Sequence, residues 1–416
     1  MNENTTSDLE KNYKRNYFSL LCESLLYTFA YSLFSVTHVI PEYVSKLTDS
    51  SWALSLVSVL YYCPVYLASI IGCYYSLNSS SPKKVCVTIC ISQRIGLFCI
   101  ALSSLFIGRA SSSVCLLVFF MAYTVYNIAD GMSMPVYYDM ISTMIHKNIG
   151  QFFGTYNMIG SVAGIVASLL LSYLYRVRPY PQNYQAMFFI GLLFAIGSSL
   201  MIIFGCRESE TAVKERVSFR FSQFPSLFKT CLGKPSFRRY TVVFLLLTAA
   251  DFSVPFYIIR LEQDHPVPGN YLGIMSMVSL FSGIAANWFL GIIADKYGVF
   301  RMILISCVFG AAASVLVILN PGGWFIYATY ILVSFAYCGN ALSNTIACSV
   351  LARGENSTVY TAASKLSAAP VTILVSVLGS ILSNRSSLSS VFIISLSAYL
   401  LAFSLSIMSD RQKNIG

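Results

Sequence analysis

Apolar residues in this chain fall in long blocks separated by short polar breaks. The blocks lie near 17–39, 51–75, 85–107, 114–143, 152–175, 187–205, 239–260, 270–294, 301–319, 324–350, 360–382 and 389–408. Each is long enough for a helix across the hydrocarbon core of a bilayer, which takes about 20 residues. Twelve transmembrane helices are therefore predicted. The fourth run continues past Pro135, where a kink is expected, and the tenth contains Asn340 and Asn344. One break is long, 206–238, and rich in Lys, Arg, Ser and Glu. It divides six runs from six. The pattern predicts an all-α membrane protein with a six-helix bundle over 1–205, a cytoplasmic linker over 206–238 and a second six-helix bundle over 239–416. Such a layout points to pseudo-symmetric halves. Within the linker, Phe219, Phe221, Phe224, Leu227 and Phe228 stand among Arg220 and Lys229. They read equally as an amphipathic helix on the inner leaflet or as a solvated linker with a few buried aromatics.

Composition narrows the class. Of the 416 residues, 56% are apolar and 11% charged, against roughly 25% charged in soluble domains. Disorder needs the opposite balance, and the 24 glycines show no period of three. The net charge of +10 is scattered through the breaks, so it marks topology and no nucleic-acid partner is expected. With the N-terminus inside, 20 Lys and Arg fall in inside segments and 6 in outside segments, with Arg94 within a span. That bias predicts a multi-pass protein of the cell membrane with both termini cytoplasmic. Arg176 and Arg178 are the local exception. A polar stretch precedes the first run without a small-residue cleavage site, so the first span is expected to be retained.

The twelve Cys show no recurring zinc-ligand spacing. They read as packing residues, with no disulfide and no metal. Cys206 and Cys231, in the long break, are expected to meet a membrane-impermeant thiol reagent from the inside. His38, His146 and His265 lie far apart, and neither a Ser/His/Asp set nor a Walker motif is present. No enzyme, cofactor or ATP-driven machine is expected.

Charges inside spans are costly, roughly 2.5–3.5 kcal/mol at the bilayer centre, so they should face protein or water. The candidates are Glu23, Arg94, Asp130, Asp139, Asp251 and Lys365. Glu23 shares a face with Tyr27, Ala30, Phe34 and Thr37, which reads as a cavity lining or as one half of a staple to Arg94. Arg94 is expected to point inward, towards Glu23 or Asp130. Asp130 shares a face with Tyr123, Asn127, Met134 and Tyr137, and Asp139 is about 180° further around the helix, so the two serve different sites. Asp130 is the better coupling candidate. Asp251 is the most central acid of the second half and is a candidate to take up and release a proton. Lys365 either snorkels to the interface or pairs with an acid. Tyr337, Asn340 and Asn344 share one face.

After the eighth run stands Gly291-Ile-Ile-Ala-Asp295-Lys296-Tyr297-Gly298-Val-Phe-Arg301. It resembles the signature loop of the major facilitator superfamily, G-x-x-x-D-[RK]-x-G-x-x-[RK]. The stretches Pro135 to Asp139, Gly150 to Gly154 and Pro41 to Trp52 also resemble a bacterial subgroup of that superfamily in which most substrates are unassigned. The resemblance implies that Asp139, Gly291, Asp295, Lys296, Gly298 and Arg301 form a cytoplasmic gate. Asp295 would accept from the start of the fifth span near Gly150, and Arg301 would pair with an acid such as Glu355. It also implies that spans one, four, seven and ten line a central cavity, with Tyr27, Tyr123, Asn127, Tyr257, Tyr337, Asn340 and Asn344 in its wall. The chain departs from the pattern in two places. The first-half echo of the loop, Gly72 to Ser76, has Ser where the superfamily has Asp, which weakens that half of the gate. Asn127 to Gly131 lacks the Arg of the proton-coupled motif.

The expected function is secondary transport of a small organic solute by alternating access, by a monomer in the lipid bilayer. Proton coupling through Asp130 or Asp251 is the expectation their carboxylates raise, and outward transport comes from the superfamily alone. The alternative is a non-transporting sensor or scaffold on the same fold.

Overall fold

The structure, a computed structural model, describes residues 3–35, 39–48, 51–145, 147–208, 220–254, 257, 271–319, 324–352, 357–385 and 388–413. Every predicted run carries a helix. The first half has α1 (Glu3–Leu33), a short α2 (Val39–Ser45), α3 (Ser51–Leu77), α4 (Pro82–Ser103), α5 (Ser112–Met144), α6 (Ile149–Val177) and α7 (Gln182–Leu200). The second has a short α8 (Phe224–Gly233), α9 (Pro235–Ala250), α10 (Tyr271–Tyr297), α11 (Val299–Leu319), α12 (Phe325–Leu351), α13 (Ser357–Arg385) and α14 (Leu388–Lys413). No strand occurs among the described residues.

Nine helices are long and apolar enough to cross a membrane, among the residues described. The other three are α1, α9 and α13. Serines, tyrosines and Glu23 dilute α1. α9 is only 16 residues long before the helix changes character at Asp251. α13 does not lie wholly within the described side chains. Many large apolar side chains stay exposed, such as Leu117, Met121, Leu193 and Phe204. A lipid-facing surface needs this and a soluble one avoids it.

The chain divides into two compact units. One comprises Met1–His146 and Ile159–Gln223, the other Lys147–Met158 and Phe224–Gly416. Helix α6 therefore begins in the second unit and continues in the first.

In the first unit, α2 caps one end of the core. Its Tyr43 is fully buried, with ring centroids 5.0 Å from Phe119, 5.3 Å from Tyr184 and 5.2 Å from Phe188. Helices α3 and α5 touch backbone to backbone through glycine, as small residues permit in membranes. A Cβ on Gly72 would lie 2.2 Å from the Met132 carbonyl oxygen, and one on Gly131 would lie 2.4 Å from that of Val65. Gly72→Ala is expected to lose roughly 1–3 kcal/mol of stability or more, read as a lowered melting temperature in detergent. An unchanged melting temperature would show that the two helices separate freely.

At the foot of this unit the end of the sixth span is tied down. The helix α7 ends in a π-turn, Met201–Gly205. Arg15 donates to the Phe204 and Gly205 carbonyls at 2.6 and 2.8 Å, and Lys83 Nζ donates to those of Ile203 and Cys206 at 2.9 and 2.6 Å. Cations thus sit on helix-end carbonyls, where the helix dipole favours them. Glu208 answers at the start of α4, accepting from the Lys83 N–H at 2.7 Å and from the Ser81 hydroxyl.

In the second unit α8 resolves part of the linker. It forms a helix with Phe224 buried, while Phe221, just before it, is exposed. Phe219 lies outside the described residues. The thiol expectation fails: Cys206 is 1% exposed and Cys231 5%, because both ends of the linker dock onto the bundles. Burial also pushes the Cys206 thiol up to about 12. An impermeant maleimide is accordingly expected to modify neither cysteine before denaturation. Rapid labelling of the native protein would contradict the docking.

Candidate functional site

Each unit contains an acid held by an amide and a tyrosine. In the first unit the acid is Asp130 of α5, which is buried. Its Oδ1 accepts from the Tyr27 hydroxyl of α1 at 3.1 Å and from Gln93 Nε2 of α4 at 2.6 Å. The same Gln93 nitrogen lies 3.3 Å from the Tyr27 hydroxyl. Three helices thus converge on one carboxylate oxygen.

Arg94 points inward as expected, but it does not bond directly to Glu23 or Asp130. Its Nε donates to the Ala195 carbonyl at 2.9 Å, one Nη to Ser198 Oγ at 2.6 Å and the other Nη to Gln93 Oε1. The guanidinium also lies 5.5 Å from the Tyr27 ring centroid, within cation–π range. Gln93 therefore stands between the cation and the acid, accepting from Arg94 and donating to Asp130. Its amide has a donor end and an acceptor end, so it links the two charges without bringing them together.

Glu23 is buried and accepts from the Tyr137 hydroxyl, joining α1 to α5. Of its expected face, Ala30 and Phe34 pack in the apolar core, and Thr37 lies outside the described residues. Asn127 is fully buried. Its Nδ2 donates to the Tyr123 carbonyl at 2.9 Å, and its Oδ1 has no hydrogen-bond partner among the described residues. Tyr123 packs in the core beside Phe119. Asp139 forms a separate site, accepting from Ser76 Oγ at 3.0 Å. The serine in the first-half echo of the loop thus meets α5.

In the second unit α9 stops at Ala250, and Asp251–Ser253 forms one 3₁₀ turn. Ser253 and Ser395 Oγ donate to the Ala250 carbonyl at 2.9 and 3.0 Å, and the two hydroxyls are 3.0 Å apart. They satisfy the backbone where the helix changes, which a bilayer demands. Asp251 sits at this break. Its Oδ2 accepts from Asn340 Nδ2 of α12, and its Oδ1 accepts from the Tyr399 hydroxyl of α14 at 3.3 Å. Both donors are neutral. Gly310 makes room for Tyr399, because a Cβ there would lie 2.4 Å from the ring. Asn340 Oδ1 is buried without a hydrogen-bond partner among the described residues.

The other expected cavity residues divide. Asn344 Oδ1 accepts from Ser364 Oγ at 3.1 Å and joins α12 to α13, apart from the Asp251 contacts. Tyr257 is buried in apolar packing against Phe392, and Tyr337 is exposed. Lys365 is half-buried on α13.

The signature loop has its own geometry. Asp295 accepts from the Gly150 N–H at 2.6 Å through Oδ1 and from the Gln151 N–H at 2.5 Å through Oδ2. These are free donors at the first turn of α6, where a carboxylate is favoured. Glycine permits the approach: a Cβ on Gly291 would lie 2.6 Å from the Gly150 carbonyl oxygen, and one on Gly154 would lie 2.4 Å from that of Asn287. Gly298 has φ +89° and turns the chain between α10 and α11. Lys296 and Arg301 are exposed, and Glu355 lies outside the described residues.

Sequence reasoning did not single out Gln93, Ser198, Tyr399 or the break at Asp251. An amide beside Arg94 in an apolar run was a usable signal for Gln93, and Pro255 four residues after Asp251 was one for the break.

Comparison with known proteins agrees with this architecture. A search of curated proteins finds no match. Among solved structures, a bacterial homologue of the iron transporter ferroportin, in an outward-facing state, superposes with TM-score 0.73 at 12% identity, over 94% of this chain and 98% of that one. The transporter FucP in its outward conformation gives the same values. A second structure of FucP, described as the E. coli fucose:proton symporter, gives TM-score 0.71 at 12% identity, over 95% of this chain and 99% of that one. At such identity the likeness is one of fold. The family model described as Major Facilitator Superfamily matches residues 20–372, most of the chain, and this all-α, multi-pass membrane protein therefore belongs to the Major Facilitator Superfamily of transporters.

Proposed function

We propose that the chain is a secondary transporter that exports a small, moderately polar organic solute by alternating access, with protons as the coupling ion. The observation that carries this reading is the pair of acid, amide and tyrosine clusters, one in each unit: Asp130 with Gln93 and Tyr27, and Asp251 with Asn340 and Tyr399. A carboxylate kept inside a span is expensive and is retained where it works. Asp251 lies at a break in its helix, the kind of place where transporters of this architecture bind substrate and coupling ion. The Asp295 contact to α6 serves as the gate, holding one side shut and letting go when that side opens. The protein acts as a monomer in the cell membrane with both termini in the cytoplasm. Ser76 supports a second reading, a sensor that binds without transporting, since it leaves the first-half loop without a carboxylate.

The test uses proteoliposomes loaded with a pH-sensitive dye under an imposed pH gradient and a panel of organic solutes. A solute-specific proton flux, absent from protein-free vesicles, is expected. A solute that stabilises the protein against heat yet drives neither proton flux nor its own movement would establish the sensor reading instead.

A further inference from the structure

The start of α9 carries an arrangement that transport does not use. Arg238 and Arg239 are the fourth and fifth residues of this helix, Pro235–Ala250, whose first turn has no acidic residue. The positive end of the helix dipole disfavours cations there. Among the described residues, no hydrogen bond or ion pair reaches either guanidinium; the Arg238 backbone N–H donates to the Lys234 carbonyl. Lys234 adds a third cation just before the helix and lies 5.5 Å from the Tyr360 ring centroid. Two adjacent arginines near the positive end of a helix, with no counter-charge among the described side chains, suit an anion.

Beside them is a cavity of about 250 Å³ lined by Arg238, Arg239, Val242, Leu405 and Met408. Val242 and Met408 are 43% and 63% exposed. They belong to helices α9 and α14, so this wall is an apolar flank of the second unit. The lining is charged at the helix start and apolar one turn further along α9. A phospholipid has that same order, an anionic headgroup followed by acyl chains. A free phosphate would satisfy the arginines but leave the apolar wall uncovered.

We infer that this cavity binds an anionic phospholipid from the leaflet that reaches the start of α9, its phosphate between Arg238 and Arg239 and an acyl chain along Val242, Leu405 and Met408. Arginine pairs well with phosphate because its planar fork matches two oxygens.

The experiment titrates the full-length protein, in a neutral detergent, with short-chain phosphatidylglycerol, phosphatidylcholine or glycerol phosphate, and follows thermal unfolding. Phosphatidylglycerol is expected to raise the melting temperature saturably, with little effect from the other two. In Arg238→Gln/Arg239→Gln the apparent affinity for phosphatidylglycerol is expected to fall about 30-fold, since each cation near an anionic headgroup is worth about a factor of five. Arg238→Lys/Arg239→Lys should retain most of it. Equal stabilisation by phosphatidylcholine, equal stabilisation by glycerol phosphate, or an unchanged phosphatidylglycerol affinity in the glutamine variant would each overturn the inference. The lipid comparison on the unmodified protein decides the matter even if the double variant does not fold.

Discussion

Asp130→Asn and Asp251→Asn are each expected to reduce proton flux driven by the solute to the level of protein-free vesicles. The two substitutions differ in what else they disturb. The Tyr27 hydroxyl and Gln93 Nε2 both donate to one oxygen of Asp130, Oδ1. An asparagine can present its carbonyl oxygen there and keep both bonds, while losing the ability to take up a proton. Asp130→Asn should therefore retain the Tyr27 and Gln93 contacts. The donors to Asp251 use both oxygens, Asn340 on Oδ2 and Tyr399 on Oδ1. An asparagine there keeps the Asn340 bond on its carbonyl oxygen and meets Tyr399 with its NH₂, so the tyrosine hydroxyl must turn from donor to acceptor, a rearrangement that the two Asp130 bonds do not require. Asp251→Asn should lower the melting temperature more than Asp130→Asn. Survival of gradient-driven flux in either variant would remove that acid from the coupling path.

Asp295→Asn is expected to slow turnover about 30-fold while changing solute affinity far less. The carboxylate spans two N–H groups at the first turn of α6, one to each oxygen. Asparagine can serve one of them, and the negative charge that the helix end favours is lost. A hydrogen bond to a charged group contributes roughly 1.5–3 kcal/mol and the dipole interaction about 0.3–1 kcal/mol. A bias of about 2 kcal/mol in the closed state of the gate corresponds to roughly 30-fold in the equilibrium between its two positions. Initial rates of proton flux report turnover, and the solute's shift of the melting temperature reports binding. Unchanged turnover with lost binding would contradict a gate role for Asp295.

Much of the architecture could be read from apolar run length, because a bilayer span imposes a minimum length and every predicted run carries a helix. The contact of Asp295 with Gly150 was legible for a different reason. The resemblance of the loop motif named the start of the fifth run as its neighbour, and the free N–H groups of a helix start favour a carboxylate. The clusters were harder to read. Tyr399 lies 148 positions from Asp251, and no periodicity connects residues on separate helices. Arg94 shows the same limit from the other side. Burial cost predicts that it faces inward, but its partners are Ala195, Ser198 and the neighbouring Gln93, a choice made by packing of α4 on α7. Cys206 and Cys231 sit in a polar stretch and are nevertheless buried, because composition registers polarity and is silent on docking. Tyr123 and Tyr257 belong to apolar packing for a related reason: a phenol ring fills a core as well as it lines a cavity.

Whether the two units exchange between arrangements is best read from a distance across them. Positions 84 and 296 are exposed, one on each unit, and accept spin labels introduced through a non-natural amino acid, leaving the native cysteines untouched. Double electron–electron resonance on the unmodified background and on Asp295→Asn should give two distance populations, with the substitution moving weight from one to the other. A single distance, the same in both proteins, would contradict alternating access gated by Asp295.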